Sequence, residues 1–281
     1  MSFKDILAML VAEDNAGVIN CAQRVAQRVG GAASALLFEV EPAPIYVYGS
    51  YEGYVSGDLW QKVVAEARTA FLDSERKVKA QLTALPQEIS LEERHVLAME
   101  VAAQAALAAR YRDLIVMARP DAAMSAAQRG IVDSVLFESG RPVLLAPPGW
   151  EAGAIGRTIA VGWNAKREAA QALSAAAPLI DRADKVIVLT VDARPGAKGH
   201  GDMPGADIAA HLARRGVPTE IVNVQSGARS DGAALMEASL AANADMLVIG
   251  AYGHSRIQQF VLGGVTRELM ADCPIPLFMT H

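Results

Sequence analysis

The sequence contains one pattern of strands and helices twice, and this internal repeat constrains the fold more than any other feature. Short, mainly apolar runs open the halves at residues 6–11 and 158–163. A helix pattern and a second apolar run follow in each half, at 35–40 and 186–191. Such runs are typical of parallel strands that helices cover on both faces. The repeat therefore predicts an α/β fold of two tandem, doubly wound parallel-sheet domains.

The fourth predicted strand gives the closest match between the halves. Residues 113–117 read DLIVM and residues 245–249 read DMLVI. A helix pattern, a proline and a last apolar run follow in both halves. The length of 281 residues agrees with two domains of about 150 residues each. We predict domains at 1–148 and 155–281.

Composition argues against several functional classes. The net charge is −5, the pI is about 5.6 and no Lys/Arg run occurs, so a general nucleic-acid binder is not expected. No apolar run approaches the roughly 18 residues of a membrane span, and the N-terminus does not resemble a signal peptide. We therefore expect no membrane partner and a cytoplasmic location. Cys21 and Cys273 lie one in each half and are predicted to be buried thiols.

The first half is longer than the second, mostly because of extra residues around 45–60. This segment holds four of the six tyrosines. They are Tyr46, Tyr48, Tyr51 and Tyr54. A packed surface loop, a homodimer contact and a lid are three alternatives for this insertion.

Glycines follow the fourth strand of the second half. Gly250 and Gly253 come directly after the strand, and Gly263 and Gly264 precede a further helix pattern. Glycines at the carboxyl end of a strand let a ligand approach the backbone closely. A helix N-terminus adds unpaired N–H groups and the positive end of the helix dipole. Because ligands bind at this edge of open parallel sheets, the pattern predicts an anion site.

The run from residue 245 to 270, DMLVIGAYGHSRIQQFVLGGVTRELM, resembles the universal stress protein family. The resemblance extends over both halves and implies a Rossmann-like fold of the adenine-nucleotide alpha-hydrolase-like type. Nucleotide-binding members carry G-x2-G-x9-G followed by Ser or Thr. The resemblance therefore implies that Gly250, Gly253 and Gly263 form a phosphate loop for ATP, ADP or AMP, with Mg²⁺ as a companion ion.

Two positions depart from the family pattern. Gly264 stands where the family has a hydroxyl residue, and Thr266 is a candidate to supply that hydroxyl. Asn164 replaces the family's aspartate after the first strand, although an amide still donates and accepts hydrogen bonds. Val224 lies where the family lines the adenine pocket, but a plain core valine is an equal alternative. The predicted nucleotide-binding residues are Asn164, Val224, Gly250, Gly253, His254, Gly263, Gly264, Val265 and Thr266.

The first half lacks the same loop. Ala118, Asp121 and Arg129 stand at its glycine positions, and Val11 stands at the aspartate position. Asp121 would set a carboxylate beside the phosphates, where like charges repel. We therefore predict that the first half has a structural role, forming an intramolecular pseudo-dimer with the second; a homodimer is a further alternative.

The resemblance implies a stress-response protein that binds an adenine nucleotide in its C-terminal domain. The alternative is a nucleotide-independent interaction or signalling module of the same fold, which the changes at Gly264 and Asn164 would allow. No nucleophile–base pair or known catalytic motif occurs, so we assign no catalytic residue and expect at most slow ATP hydrolysis. His95 is expected at a solvated strand end and His200 lacks companion ligands, so no metal site is assigned.

Overall fold

Strands and helices alternate along the chain in a computed structural model that describes residues 2–43, 57–151, 153–196, 201–251 and 264–281. The strands are β1 Asp5–Leu10, β2 Ala32–Glu41, β3 Ser90–Leu97, β4 Leu114–Ala118, β5 Val143–Ala146, β6 Thr158–Gly162, β7 Lys185–Val191, β8 Thr219–Val224, β9 Met246–Gly250 and β10 Leu277–Thr280. The helices are α1 Ala16–Val29, α2 Gly57–Thr83, α3 Val101–Ala109, α4 Ala126–Glu138, α5 Arg167–Ala175, α6 Ala177–Ile180, α7 Ala206–Arg214, α8 Asp231–Ala241 and α9 Gly264–Asp272.

The ten strands form one sheet in the order β3-β2-β1-β4-β5-β10-β9-β6-β7-β8. Counted within each half, the order is 3-2-1-4-5 followed by its mirror image. Pairing is parallel within each half and antiparallel between β5 and β10, where Leu144 lies opposite Phe278. The predicted α/β fold is confirmed, and the parallel sheets of the two halves join into one ten-stranded sheet. Joining the two edges pairs backbone groups that each half alone would leave open.

Burial along the sheet follows strand position. The central strands β4, β5 and β10 are buried at every residue, as their uninterrupted apolar sequences predict. The outer strands β3 and β8 are partly exposed and carry charged residues, which discourage pairing with other chains. The rings of Phe3 and Phe278 stack with centroids 6.3 Å apart, so the two halves also share core contacts.

One aspartate before each fourth strand fixes the start of the neighbouring first strand. Asp113 accepts hydrogen bonds of 2.7 and 3.0 Å from two backbone N–H groups at the start of β1. Asp245 accepts bonds of 2.9 and 3.3 Å from the corresponding groups at the start of β6. The shared D at the head of DLIVM and DMLVI thus has a structural function in both halves.

Cys21 and Cys273 are buried and free, as predicted, and burial raises the pKa of both thiols. None of the helices in the described ranges is long and apolar enough to cross a membrane. His95 is exposed on β3, with its Nε2 2.9 Å from Glu41 Oε2. The segment with the four tyrosines and His200 lie outside the described residues.

We expect Asp245→Ala to lower the free energy of unfolding by about 1–3 kcal/mol, because backbone N–H groups of Arg157 and Thr158 lose their acceptor. Urea denaturation of the purified chain measures this loss. Asp184→Ala is the matched control, since it removes an exposed carboxylate bonded to the side chain of Arg157 at 2.8 Å. Exposed ion pairs contribute little, so this control should stay near wild type. Equal losses in the two variants would show that the hydrogen bonds between Asp245 and the start of β6 do not stabilise the fold.

Candidate functional site

The candidate site lies where the chain leaves the neighbouring strands β6 and β9 of the second half. From β6 the chain enters α5 on its way to β7, whereas from β9 it proceeds to α9 and β10 on the opposite side. The connections therefore diverge between β6 and β9, which makes this edge the topological switch point where open α/β sheets bind ligands. Because β10 runs parallel to β9, α9 begins at this same carboxyl edge.

Gly250, the last residue of β9, packs against the first turn of α5. A Cβ atom at this position would lie 2.4 Å from the carbonyl carbon of Glu168 and 2.7 Å from the backbone nitrogen of Ala169. No side chain fits in that space, so Gly250 is needed for the packing of α5 on the sheet. This requirement was not foreseen from the sequence, where the glycine was assigned to a phosphate loop. Gly253, His254 and Gly263 lie outside the described residues.

The loop from β6 to α5 presents Asn164 at the surface. Its Oδ1 accepts a hydrogen bond of 3.1 Å from the backbone N–H of Lys166, while Ala165 between them has a φ of 56°. Glu168 follows in the first turn of α5 and pairs with Arg167 at 2.9 Å. A hydrogen bond from its own backbone N–H holds the pKa of Glu168 below its usual value. The N-terminus of α5 is thus occupied by a carboxylate of the chain itself.

Helix α9 begins at Gly264, which is exposed. Among the described residues, no atom lies within 4 Å of the place where its Cβ would be. Val265 is partly buried and Thr266 is buried, with 5% of its surface exposed. Residues two apart on an α-helix point about 200° away from each other, so Thr266 does not lie on the open face of Gly264. Its hydroxyl therefore does not replace the one that Gly264 lacks.

The ends of β7 and β8 form another part of this edge and are tied to each other. The carbonyl of Val224, the last residue of β8, accepts the N–H of Asp192 at 2.9 Å. The carboxylate of Asp192 accepts hydrogen bonds from the hydroxyl and N–H of Ser226, and the hydroxyl bond holds the pKa of Asp192 below its usual value. Asp192 was missed by sequence reasoning, although its place directly after a predicted strand was visible.

A side-chain contact also sets α9 against α8. Ser230 caps α8 by accepting the N–H of Ala233 at 3.1 Å, and its hydroxyl donates to Glu268 Oε2 at 2.6 Å. Glu268 belongs to α9 and lies over Gly232. A Cβ atom at Gly232 would lie 2.3 Å from the same oxygen. The N-terminus of α8 is therefore closed by a carboxylate from its neighbouring helix.

At the corresponding edge of the first half, polar side chains are hydrogen-bonded to one another and to the backbone. Ser125 Oγ accepts the N–H of Gln128 at 3.2 Å, and Gln128 Oε1 accepts the N–H of Ser125 at 2.7 Å, a capping box at the start of α4. Gln128 Nε2 also donates to the carbonyl of Val11 at 2.6 Å. Asp121 accepts two backbone N–H groups of its own turn, and Arg129 donates to its carbonyl at 3.2 Å. A crevice of about 200 Å³ lies beside these residues.

Comparison with known proteins agrees with this geometry. The model of the Universal stress protein family matches residues 156–281. No curated protein matches the sequence. A solved universal stress protein from Archaeoglobus fulgidus DSM 4304 is 15% identical, with a TM-score of 0.68 over 98% of this chain and 97% of that one. A protein of unknown function from Pseudomonas aeruginosa PAO1 is 12% identical, with a TM-score of 0.53 over 99% and 92%. At these identities the similarity shows the fold.

The fold and the site define an α/β protein of two opposed halves joined in one sheet. Residues 156–281, which match the family model, carry the candidate site. This part of the chain is a universal stress protein domain. The full chain shares its fold with the solved universal stress protein from Archaeoglobus fulgidus DSM 4304.

We expect Gly250→Ala to lower the free energy of unfolding by about 1–3 kcal/mol, since its Cβ would overlap the backbone of α5. The midpoint of urea denaturation gives the change. Gly264→Ala is the matched control because no described residue lies within 4 Å of the place where its Cβ would be; alanine in a helix is favoured over glycine by up to about 1 kcal/mol. A Gly250→Ala chain as stable as the control would show that α5 does not pack on β9 in this way.

Proposed function

We propose that the second half binds an adenine nucleotide (ATP, ADP or AMP) at the carboxyl edge of its strands, within a stress-response protein. The phosphates lie at the N-terminus of α9, and the base lies between the ends of β6 and β8. In this proposal Gly250, Gly253 and Gly263 form the phosphate loop, with His254 beside it, as the resemblance implies. The match of residues 156–281 to the family model supports this assignment.

The charge at the helix N-termini is the observation that carries the proposal. Helices α5, α7 and α8 each have an acidic residue in the first turn, Glu168, Asp207 and Asp231, whereas the first turn of α9 has none. A carboxylate at a helix N-terminus neutralises the positive end of the dipole and repels a second anion. The N-terminus of α9 therefore suits phosphate best, and its exposed Gly264 lets the phosphate approach.

In this proposal the base and ribose contact the ends of β6 and β8. Asn164 is exposed at the end of β6 and offers an amide for hydrogen bonds to a base or ribose. Val224 is partly buried at the end of β8 and offers an apolar contact. The hydrogen bonds that join Asp192 to Val224 and Ser226 hold the end of β8 in place before a ligand arrives. We expect at most slow ATP hydrolysis.

The alternative is a nucleotide-independent interaction or signalling module. Two observations favour it, because Gly264 supplies no hydroxyl and the Oδ1 of Asn164 already accepts the N–H of Lys166. Isothermal titration of the full chain with ATP, ADP and AMP separates the two functions. Saturable binding supports the nucleotide site, and absence of binding to all three supports the interaction module.

Two substitutions at Gly264 should change binding in opposite directions while the fold is kept. Gly264→Ser restores the hydroxyl of the family pattern in open space, and a hydrogen bond to a charged group, about 1.5–3 kcal/mol, should raise ATP affinity about tenfold or more. Gly264→Asp should stabilise α9 by about 0.3–1 kcal/mol and abolish ATP binding through charge repulsion. Calorimetry and thermal melting measure both effects. If both variants bind ATP with the same affinity, the phosphates do not bind at the N-terminus of α9.

We also expect one nucleotide per chain, because at the first-half edge Gln128 is bonded to Ser125 and Val11 and the carboxylate of Asp121 would repel phosphate. The stoichiometry from calorimetry of the full chain measures this directly. Gln128→Ala should leave it at one, since Asp121 still repels phosphate there. A stoichiometry of two would show that the first half binds nucleotide as well.

A further inference from the structure

Arg119 follows β4 in the first half, but its side chain contacts a helix of the second half. Its Nη1 donates to the carbonyl oxygen of Met270, near the C-terminal end of α9, at 2.9 Å. The contact is buried, with Arg119 8% exposed and Met270 6% exposed. Antiparallel pairing of β5 with β10 explains it, because the carboxyl edge of the first half then lies beside the start of β10, which α9 precedes.

The contact satisfies a group that a helix cannot satisfy by itself. The last carbonyl groups of an α-helix have no partner within the helix. The Leu269 carbonyl accepts the N–H of Cys273 at 3.1 Å, and the Met270 carbonyl accepts the guanidinium of Arg119. A cation at this end is also favoured by the helix dipole. Arg119 therefore holds the C-terminal end of α9 in place.

The two halves differ at this point. Ala251 occupies the corresponding position after β9, since its N–H and that of Arg119 both donate to the last residue of the adjacent final strand. An alanine side chain reaches no helix end in this manner. In the first half, the C-terminal end of α4 is bonded to a residue of the same half: Arg110 Nη2 donates a hydrogen bond of 3.2 Å to the carbonyl of Glu138. The C-terminal carbonyl of α9 is thus bonded to an arginine across the interface, whereas that of α4 is bonded to an arginine of its own half, although the ring of Phe137 in α4 contacts His281 of the second half.

We propose that Arg119 is a positioning residue for the phosphate site, an inference that rests on the proposed function. Helix α9 has nine residues and spans about 13 Å, so its two ends move as one body. Buried Thr266 and Leu269 seat its middle in the protein, and Arg119 fixes its far end. The N–H groups at its N-terminus then stand preorganised for phosphate, and such electrostatic sites depend on donor geometry.

The test compares ATP with adenosine, because only ATP reaches the N-terminus of α9 with phosphates. Arg119→Met in the full chain should weaken ATP binding about five- to tenfold, as loss of roughly 1–1.4 kcal/mol would do, and leave adenosine binding within about twofold. Arg119→Lys keeps the charge and should recover part of the ATP affinity. Calorimetry gives both affinities, and thermal melting reports the stability of each variant.

Arg110→Met is the matched control, since it removes an arginine from the end of α4 and should leave ATP affinity unchanged. Lower stability in Arg119→Met with an unchanged ratio of ATP to adenosine affinity would show a merely structural role and overturn the inference. The proposed function fails separately, if the wild-type chain binds neither ligand. Equal ATP affinity in wild type and Arg119→Met leaves the proposed function standing and overturns this inference alone.

Discussion

Strands β5 and β10 pair antiparallel at the centre of the sheet, and the relation between the two halves follows from this pairing. Each strand would otherwise be the edge of a five-stranded sheet with a row of unpaired N–H and C=O groups. Pairing satisfies those groups and buries both strands at every residue. Because the pairing is antiparallel, the carboxyl edges of the two halves face opposite ways. Each half therefore meets the other's last helix at the edge where its own strands end.

The two halves share one fold but differ in the groups at their carboxyl edges. In the first half, Ser125 and Gln128 close the start of α4, and Gln128 also bonds the end of β1 through Val11. In the second half, the chain's own carboxylates occupy the starts of α5 and α8. Helix α9 differs from them in having no acidic residue in its first turn, and the proposed phosphate site rests on this difference.

Much of the fold could be predicted because the central strands are apolar without interruption. The run at 245–249 became β9, Met246–Gly250, and the run at 6–11 became β1, Asp5–Leu10, each within one residue. The capping box at Ser125 and Gln128 was also readable, since Ser and Gln three residues apart are its signature.

Other contacts could not be read because their partners lie far apart in the chain. Ser230 and Glu268 are 38 positions apart, and Arg119 and Met270 are 151 apart. Gly250 has the residue type expected of a ligand loop, yet its neighbour is the backbone of Glu168. A glycine is compatible with both a ligand loop and close helix packing, and only the surrounding residues show which of these roles it has.

The sequence by itself determined the α/β class, the duplication and the loss of the glycine loop from the first half, because periodicity, repeat and residue type are local properties. Tertiary structure decided three further points. It fused the two sheets into one through β5 and β10, placed Thr266 away from the open face of α9, and brought Arg119 to the end of that helix. All three points depend on which surfaces come into contact when the edge strands of the two halves pair. A local sequence pattern does not contain this information.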